Sequence, residues 1–168
     1  YHALYFFALR LAPPAQAGLI AYLWPLLIVL FSGLLPGEKV RRAHIAGAVI
    51  AFAGAAILLV GDGPVRGDAM VGYGLAFLCA LVWSGYSVGS RQFGEVPTAS
   101  VTVFCLASAA LSAIAHLTLE TPAWPEGMWG WAAVVGLGLG PVGLAFFLWD
   151  VGVKRGNIQL LGTASYTA

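Results

Sequence analysis

Long stretches without a charged side chain constrain this sequence more than any other feature. Uncharged, largely apolar runs cover 11–37, 69–90, 96–119 and 127–149, and a shorter one covers 45–61. A bilayer core about 30 Å thick needs roughly 20 apolar residues per helix. Each of the longer runs can therefore cross a membrane once as a helix.

The composition excludes an ordinary soluble domain. Hydrophobic residues make up 60% of the chain and charged residues 9%, with a mean hydropathy of +0.88. Soluble domains carry about 25% charged residues, and their helices need a polar face that these runs lack. The sequence therefore predicts an all-α polytopic membrane protein embedded in a lipid bilayer.

Two further apolar runs, 1–9 and 156–168, touch the ends of the sequence. We therefore expect the middle part of a longer polypeptide, with five complete spans between two partial ones. Cys79 and Cys105 both lie inside predicted spans. We expect these cysteines to be small buried side chains rather than parts of a disulfide framework.

Basic residues alternate between the connections and thereby predict the orientation of the chain. Six of the eight Lys and Arg residues fall in every second connection, and the positive-inside rule places those connections in the cytoplasm. These six are Lys39, Arg41, Arg42, Arg91, Lys154 and Arg155. Arg66, Asp62 and Glu120 belong to connections on the opposite side. Trp124, Trp129 and Trp131 lie near that side and are predicted to form an interfacial aromatic belt.

Charged residues avoid the middle of every complete span, although intramembrane ionisable residues are what normally mark ion and proton pathways. Asp150 precedes Lys154 by four residues, the spacing of an ion pair within a helix. Glu38 lies beside Lys39 and Arg41, where we expect a structural pairing. The sequence thus offers no ion-coupling residue, and both facilitated export and proton antiport stay open as mechanisms.

A weak internal repeat relates the two ends of the sequence. Residues 8–24 align without gaps to 152–168, so that Gly18 meets Gly162 and Tyr22 meets Tyr166. The first copy lies beside an odd connection and the second beside an even one, so the copies face opposite sides. Inverted repeats with an odd number of spans recur in secondary transporters, which bind substrates near the midplane.

Several segments of the sequence resemble a known family. "LIAYLWPLLIVLFSGLLPGEKV" followed by "GAVIAFAGAAILLVGDG" is similar to the last two helices of an EamA-type repeat. "GYGLAFLCALVWSGYSVGSRQF" resembles the opening helix of a second repeat, and "LGLGPVGLAFFLWDVGVKRGN" resembles its third helix and turn. The chain thus resembles the EamA family of the drug/metabolite transporter superfamily over essentially its whole length.

This resemblance implies a fold of ten helices, built as two inverted five-helix repeats with both termini in the cytoplasm. The chain would then run from the end of helix three into part of helix nine. Residues 1–61 would be the C-terminal part of the first repeat, 62–70 a non-cytoplasmic connection, and 71–168 the N-terminal part of the second repeat. The implied location is the bacterial plasma (inner) membrane, crossed several times.

Within the family, "ALYFFALRLAPPAQAGLIAYLWPLL" is similar to the YddG-type aromatic amino-acid exporters. The implied function is a secondary transporter that exports Trp, Phe, Tyr and related small metabolites by alternating access. The implied partners are an aromatic amino acid and the bilayer, with no cofactor, no metal and no nucleic acid. An EamA carrier for a non-aromatic metabolite or drug is one alternative, and a non-transporting membrane scaffold is another.

A Trp-Pro pair marks the first candidate site. Pro25 lies near the middle of the 11–37 run, where a proline kinks a helix and frees a carbonyl group of the preceding turn. A freed backbone group is costly in a bilayer unless it faces protein or a cavity. Tyr22 and Trp24 place a hydroxyl and an indole N–H at the same depth. The alternative is a packed kink whose aromatic rings only fill space.

Further aromatic residues are candidates for the same substrate site. Tyr1 and Tyr5 are four residues apart and share a helix face, and Trp83 and Tyr86 are three apart. Tyr166 is the repeat partner of Tyr22. Aromatic clefts with a few polar groups suit an aromatic ligand. Contact with lipid, or packing, is the alternative for each ring taken alone.

The segment "GLGLGPVG" is predicted to give its span a thin, bendable face around Pro141, a second helix kink. It has a glycine pattern like that of a nucleotide-binding loop but lacks the strand that such a loop follows. An intramembrane enzyme would need paired aspartates, a His-Glu metal motif or a serine–histidine pair at one depth. The sequence shows none of these patterns, so we expect no enzyme.

Overall fold

The computed structural model describes residues 1–59, 67–119 and 124–167, and all regular elements in these ranges are helical. Asp62, Arg66 and Glu120, which entered the charge count, lie outside the described residues. The elements are α1 His2–Leu11, α2 Pro14–Ala21, α3 Trp24–Ser32, α4 Arg42–Leu59, α5 Met70–Gln92, α6 Ser100–Leu119, α7 Gly127–Leu137, α8 Ala145–Arg155 and α9 Ile158–Ala164. Short 3₁₀ helices cover Gly67–Ala69 and Ser165–Thr167, and a π-helix covers Gly138–Leu144.

Four helical segments within the described ranges are long and apolar enough to cross a membrane: Pro14–Ser32, Gly67–Gln92, Ser100–Leu119 and Gly127–Arg155. They correspond to the four longer apolar runs, and the prediction of an all-α polytopic membrane protein is confirmed. The fifth predicted span, 45–61, continues beyond the described residues. Its described part includes the shorter apolar helix Arg42–Gly54.

The chain forms two compact units. The first unit contains Tyr1–Gln92 and Gly156–Ala168. In it, α5 packs against α1, α2 and α3, while α9 packs against α3 and α4. The second unit contains Phe93–Arg155 and is built from α6, α7, the π-helix and α8. The boundary predicted at 62–70 between the two repeats lies mostly outside the described residues and stays a prediction.

Small side chains line the core of the first unit. Ala8, Ala12, Ala17 and Ala21 pack against residues of the first half of α5, among them Ala76. Small residues let membrane helices approach each other closely. The approach is tightest at Gly72, where an added Cβ would lie 2.8 Å from the backbone nitrogen of Ala12. The joint between α1 and α2 therefore rests directly on the backbone of α5.

The 11–37 run is broken in the middle rather than forming one continuous helix. α2 ends at Ala21, Tyr22 and Leu23 form a turn, and α3 begins at Trp24. Pro25 occupies the first turn of α3, where its missing N–H breaks no helical hydrogen bond. The break places Tyr22 and Trp24 where α2 ends and α3 begins.

In the second unit, Pro141 lies inside the π-helix that joins α7 to α8. The predicted pair between Asp150 and Lys154 is confirmed, with 2.8 Å between the carboxylate oxygen and Nζ. The hydroxyl of Thr98 also donates to the Asp150 carboxylate at 2.7 Å, and Lys154 donates to the carbonyl of Val96 at 2.8 Å. These bonds hold the connection before α6 against α8, and α6 begins only at Ser100.

Candidate aromatic site

Aromatic side chains from four places in the first unit converge. α1 and the residue before it supply Tyr5 and Tyr1, the break between α2 and α3 supplies Tyr22 and Trp24, and α5 supplies Trp83 and Tyr86. The 3₁₀ helix after α9 supplies Tyr166. These are the seven aromatic residues singled out from the sequence, and each contacts at least one other member of the set.

Trp83 is the centre of the cluster. Its ring centroid lies 5.8 Å from that of Tyr1 and 5.6 Å from that of Tyr86. It also meets Trp24 at 6.3 Å, with the two ring planes at 84°. Tyr1 in turn stacks on Tyr5 at 6.0 Å. A single side chain of α5 thereby joins the rings of α1 to those of the helix break.

The contacts continue from the helix break to the end of α9. The ring of Tyr22 lies 6.4 Å from that of Trp24 and 5.5 Å from that of Tyr166, in both cases edge-on. The seven rings therefore form one continuous series. Separations of 4.5–7 Å with edge-to-face geometry are those that aromatic pairs prefer.

Sequence reasoning missed one member of this series. Phe52 of α4 lies edge-on to Tyr166, with 6.1 Å between the ring centroids. It is the single aromatic residue of the 45–61 run, and that isolation was the signal available in the sequence. We call the eight residues the aromatic series: Tyr1, Tyr5, Tyr22, Trp24, Phe52, Trp83, Tyr86 and Tyr166.

Hydroxyl groups bond to backbone atoms at the helix break. The Ser84 hydroxyl oxygen lies 3.0 Å from the carbonyl oxygen of Trp24 and 2.6 Å from that of Ala80, so its one proton is shared between these two acceptors. The Leu26 N–H donates to the Tyr166 hydroxyl at 3.2 Å, a bond across the unit. The Leu26 N–H in the first turn of α3 thus has a polar partner, as an apolar surrounding requires.

Two members of the aromatic series are exposed. The side chains of Tyr1 and Tyr86 are 38% and 36% exposed, and the other members are half-buried. Pro25 lies buried beneath them on α3, and Pro141 belongs to the other unit. Across the described parts of the chain, no group of three or more His, Cys, Asp and Glu residues is arranged to hold a metal ion.

A polar cluster lies at the basic end of the same unit. Glu38 accepts from Arg91 at 2.5 Å and from the Gln159 amide at 3.0 Å. Its partner is therefore Arg91, and the expected pairing with Lys39 or Arg41 was wrong, because α5 brings a guanidinium from 53 residues away. The hydrogen bond from Gln159, with help from Arg91 and against the effect of burial, lowers the pKa of the Glu38 carboxyl.

Comparison with known proteins places these features in a family context. Residues 1–60 match the EamA-like transporter family. The whole chain is 56% identical to a protein of Ancylobacter novellus named "Aromatic amino acid exporter YddG", and covers 59% of it. A protein of Escherichia coli with the same name is 27% identical over 90% of the chain, which covers 54% of that relative.

A solved crystal structure of a protein gives the same result for the fold. It matches 99% of the chain with a TM-score of 0.96 and 56% sequence identity, and the chain covers 59% of that structure. The chain thus spans between half and two thirds of the length of the relatives it matches. The resemblance seen in the sequence is confirmed: residues 1–60 match the EamA-like transporter family, and the whole chain is related to proteins named aromatic amino acid exporters.

Proposed function

We propose that this chain is part of a secondary transporter that exports aromatic amino acids and related small metabolites across the bacterial inner membrane by alternating access. The observation that carries the proposal is the aromatic series, in which eight rings from five elements contact one another around a broken helix. The names of the related exporters support the same substrate class.

The arrangement fits the chemistry of these substrates. The ring of Trp, Phe or Tyr gains about 0.5–1.5 kcal/mol from each well-placed aromatic contact beyond the area it buries. The half-buried faces of Trp24 and Trp83 and the exposed part of Tyr86 can supply such contacts. The Tyr166 hydroxyl accepts from Leu26 and keeps its proton for a substrate carboxylate, and the Tyr22 hydroxyl donates to Ser165 and can still accept from a substrate amino group.

Transport by the full-length protein in proteoliposomes tests the proposal. We expect saturable uptake of labelled tryptophan that falls strongly in Trp83→Ala and Trp24→Ala. Trp129→Ala is the matched control, because it makes the same change at a side chain that is 81% exposed in the second unit. It should transport like the parent protein.

Each alternative has its own signature in this assay. Flux of unrelated metabolites with no competition by aromatic amino acids would favour a carrier for another substrate class. No flux above that of empty vesicles, with all proteins well folded, would favour a scaffold. Either result would overturn the proposal.

A further inference from the structure

Three connections predicted to lie on the cytoplasmic side meet at one arginine. The Arg91 guanidinium at the end of α5 donates to Glu38, in the connection after α3, and at 2.8 Å to the carbonyl of Gly156, just before α9. The Gln159 amide on α9 donates both to Glu38 and, at 3.2 Å, to the hydroxyl of Ser32 on α3. We call these four side chains the latch cluster: Ser32, Glu38, Arg91 and Gln159.

The helices α3 and α5 and the segment that contains α9 also carry four members of the aromatic series: Trp24, Trp83, Tyr86 and Tyr166. Ser32 follows Trp24 by eight residues on α3, and Arg91 follows Trp83 by eight residues on α5. With a rise of 1.5 Å per residue, the latch cluster lies roughly 12 Å from the rings along each of these helices. On the third element the order is reversed, because Gln159 precedes Tyr166 by seven residues.

The space between the two layers is filled by closely packed residues. Ile28 and Val29 on α3 are fully buried, and so is Ser87 on α5. At Gly162 of α9 an added Cβ would lie 3.1 Å from the carbonyl oxygen of Pro25 and 3.3 Å from Val29. In this space α3 therefore touches α9 directly, and α5 packs against α3.

We propose that the latch cluster is the cytoplasmic gate of the transporter, and that the Glu38–Arg91 pair must separate for the aromatic series to open toward the cytoplasm. The inference rests on the proposed function, because a gate has meaning only in a protein that alternates between two sides. The pair is well suited to repeated opening. Its two side chains are 22% and 23% exposed, and water replaces the lost partners of such groups at small cost.

Accessibility of a reporter cysteine tests the gate. Tyr22→Cys is placed in the full-length protein with all other cysteines replaced, and labelled with a charged, membrane-impermeant thiol reagent from the cytoplasmic side of oriented vesicles. Removing the pair with Glu38→Gln should shift the population toward the inward-open state and raise the labelling rate about tenfold. Labelling from the other side should fall. Arg91→Gln, which removes the same pair from α5, should act alike.

Glu95→Gln is the matched control, because it neutralises an exposed carboxylate in the next predicted cytoplasmic connection. It should leave both labelling rates unchanged. Unchanged rates in Glu38→Gln and Arg91→Gln would overturn the gate. Failure of both variants to fold would also overturn it, because the cluster would then be a permanent structural clamp. Labelling needs no substrate, so a gate that responds in a protein without tryptophan flux would overturn only the proposed substrate.

Discussion

The ring of Tyr22 meets the ring of Tyr166 edge-on, with their planes at 71°. Each tyrosine hydroxyl also forms a hydrogen bond with the backbone of the other segment. The Tyr22 hydroxyl donates to the carbonyl of Ser165, next to Tyr166, and the Tyr166 hydroxyl accepts from the N–H of Leu26, one turn after Tyr22. The two tyrosines align in the weak internal repeat, so equivalent residues of the two copies bind each other.

Tyr166→Phe tests this reciprocal bond. The ring contacts stay, but the Leu26 N–H loses its acceptor, and we expect the free energy of unfolding to fall by about 1 kcal/mol. We also expect the KM for tryptophan to rise while the expression level holds. Tyr5→Phe is the control, because within the described residues the Tyr5 hydroxyl forms no hydrogen bond. Equal behaviour of the two variants in thermal unfolding and uptake would contradict the prediction.

Substitution by alanine should lower the free energy of unfolding at Gly72 and raise it at Gly74. Alanine in place of glycine usually stabilises a helix by about 0.5–1 kcal/mol. Gly74→Ala meets no atom within 4 Å and should show that gain. Gly72→Ala would place its Cβ 2.8 Å from the Ala12 backbone, and the required shift should cost about 1–3 kcal/mol. Thermal unfolding in detergent, followed by tryptophan fluorescence, measures both. A stabilised Gly72→Ala would show that the joint between α1 and α2 does not rest on α5.

Ser84→Ala should loosen the helix break. The substitution removes the donor to the Trp24 carbonyl, and the loss should cost about 1 kcal/mol of stability. Because that carbonyl precedes Pro25, we also expect altered tryptophan emission. Thr118→Ala is the control, since the Thr118 hydroxyl bonds within its own helix to the carbonyl of Ile114. An emission spectrum unchanged in Ser84→Ala would show that the bond does not fix the Trp24 ring.

Protonation of Glu38 should weaken the latch cluster at acid pH. The Gln159 hydrogen bond and the Arg91 charge lower the folded-state pKa of Glu38 below its ordinary value of 4.5. The stabilisation is therefore fully present above pH 4.5 and is lost as the pH falls through the lowered folded-state pKa. The Tm difference between the parent protein and Glu38→Gln should be constant near neutral pH and shrink in that acid window. Glu95→Gln is the control, and a difference that grows on acidification would reverse the assignment.

The sequence predicts much of the fold because an uncharged apolar run of this length can adopt few structures. A run such as 69–90 has to form a membrane-spanning helix, and α5 covers it. Exact ends are harder, since they depend on contacts that the run does not contain. Thr98 donates to Asp150 of α8, and this bond holds the residues before Ser100 outside α6. The start of α6 could not be predicted from Pro97 alone, because the sequence does not show where α8 lies.

For the candidate site, the types of residue could be predicted from the sequence, but the contacts between them could not. Tyr, Trp and Pro at one depth point to a broken helix and an aromatic cluster. The long-range partners Phe52 and Tyr166 or Glu38 and Arg91 are brought together by packing between helices that are far apart in the sequence. Spacing in the sequence favoured Lys39 or Arg41 as the ion-pair partner of Glu38, because spacing takes account only of residues that are close along the chain. The pairing reflects the position of α5.

The π-helix at Gly138–Leu144 gives the second unit a place that can absorb a change of one residue in the length of the chain. In a π-helix the backbone N–H bonds to the carbonyl five residues back, so one extra residue is accommodated compared with an α-helix. Each residue turns an α-helix by about 100°. Deleting one codon between positions 138 and 144 would close the π-helix into an ordinary α-helix and leave Asp150 facing Thr98, whereas the same deletion between Ala145 and Asp150 would turn Asp150 by that angle. This short stretch is therefore the part of the span where the loss of one residue is tolerated best.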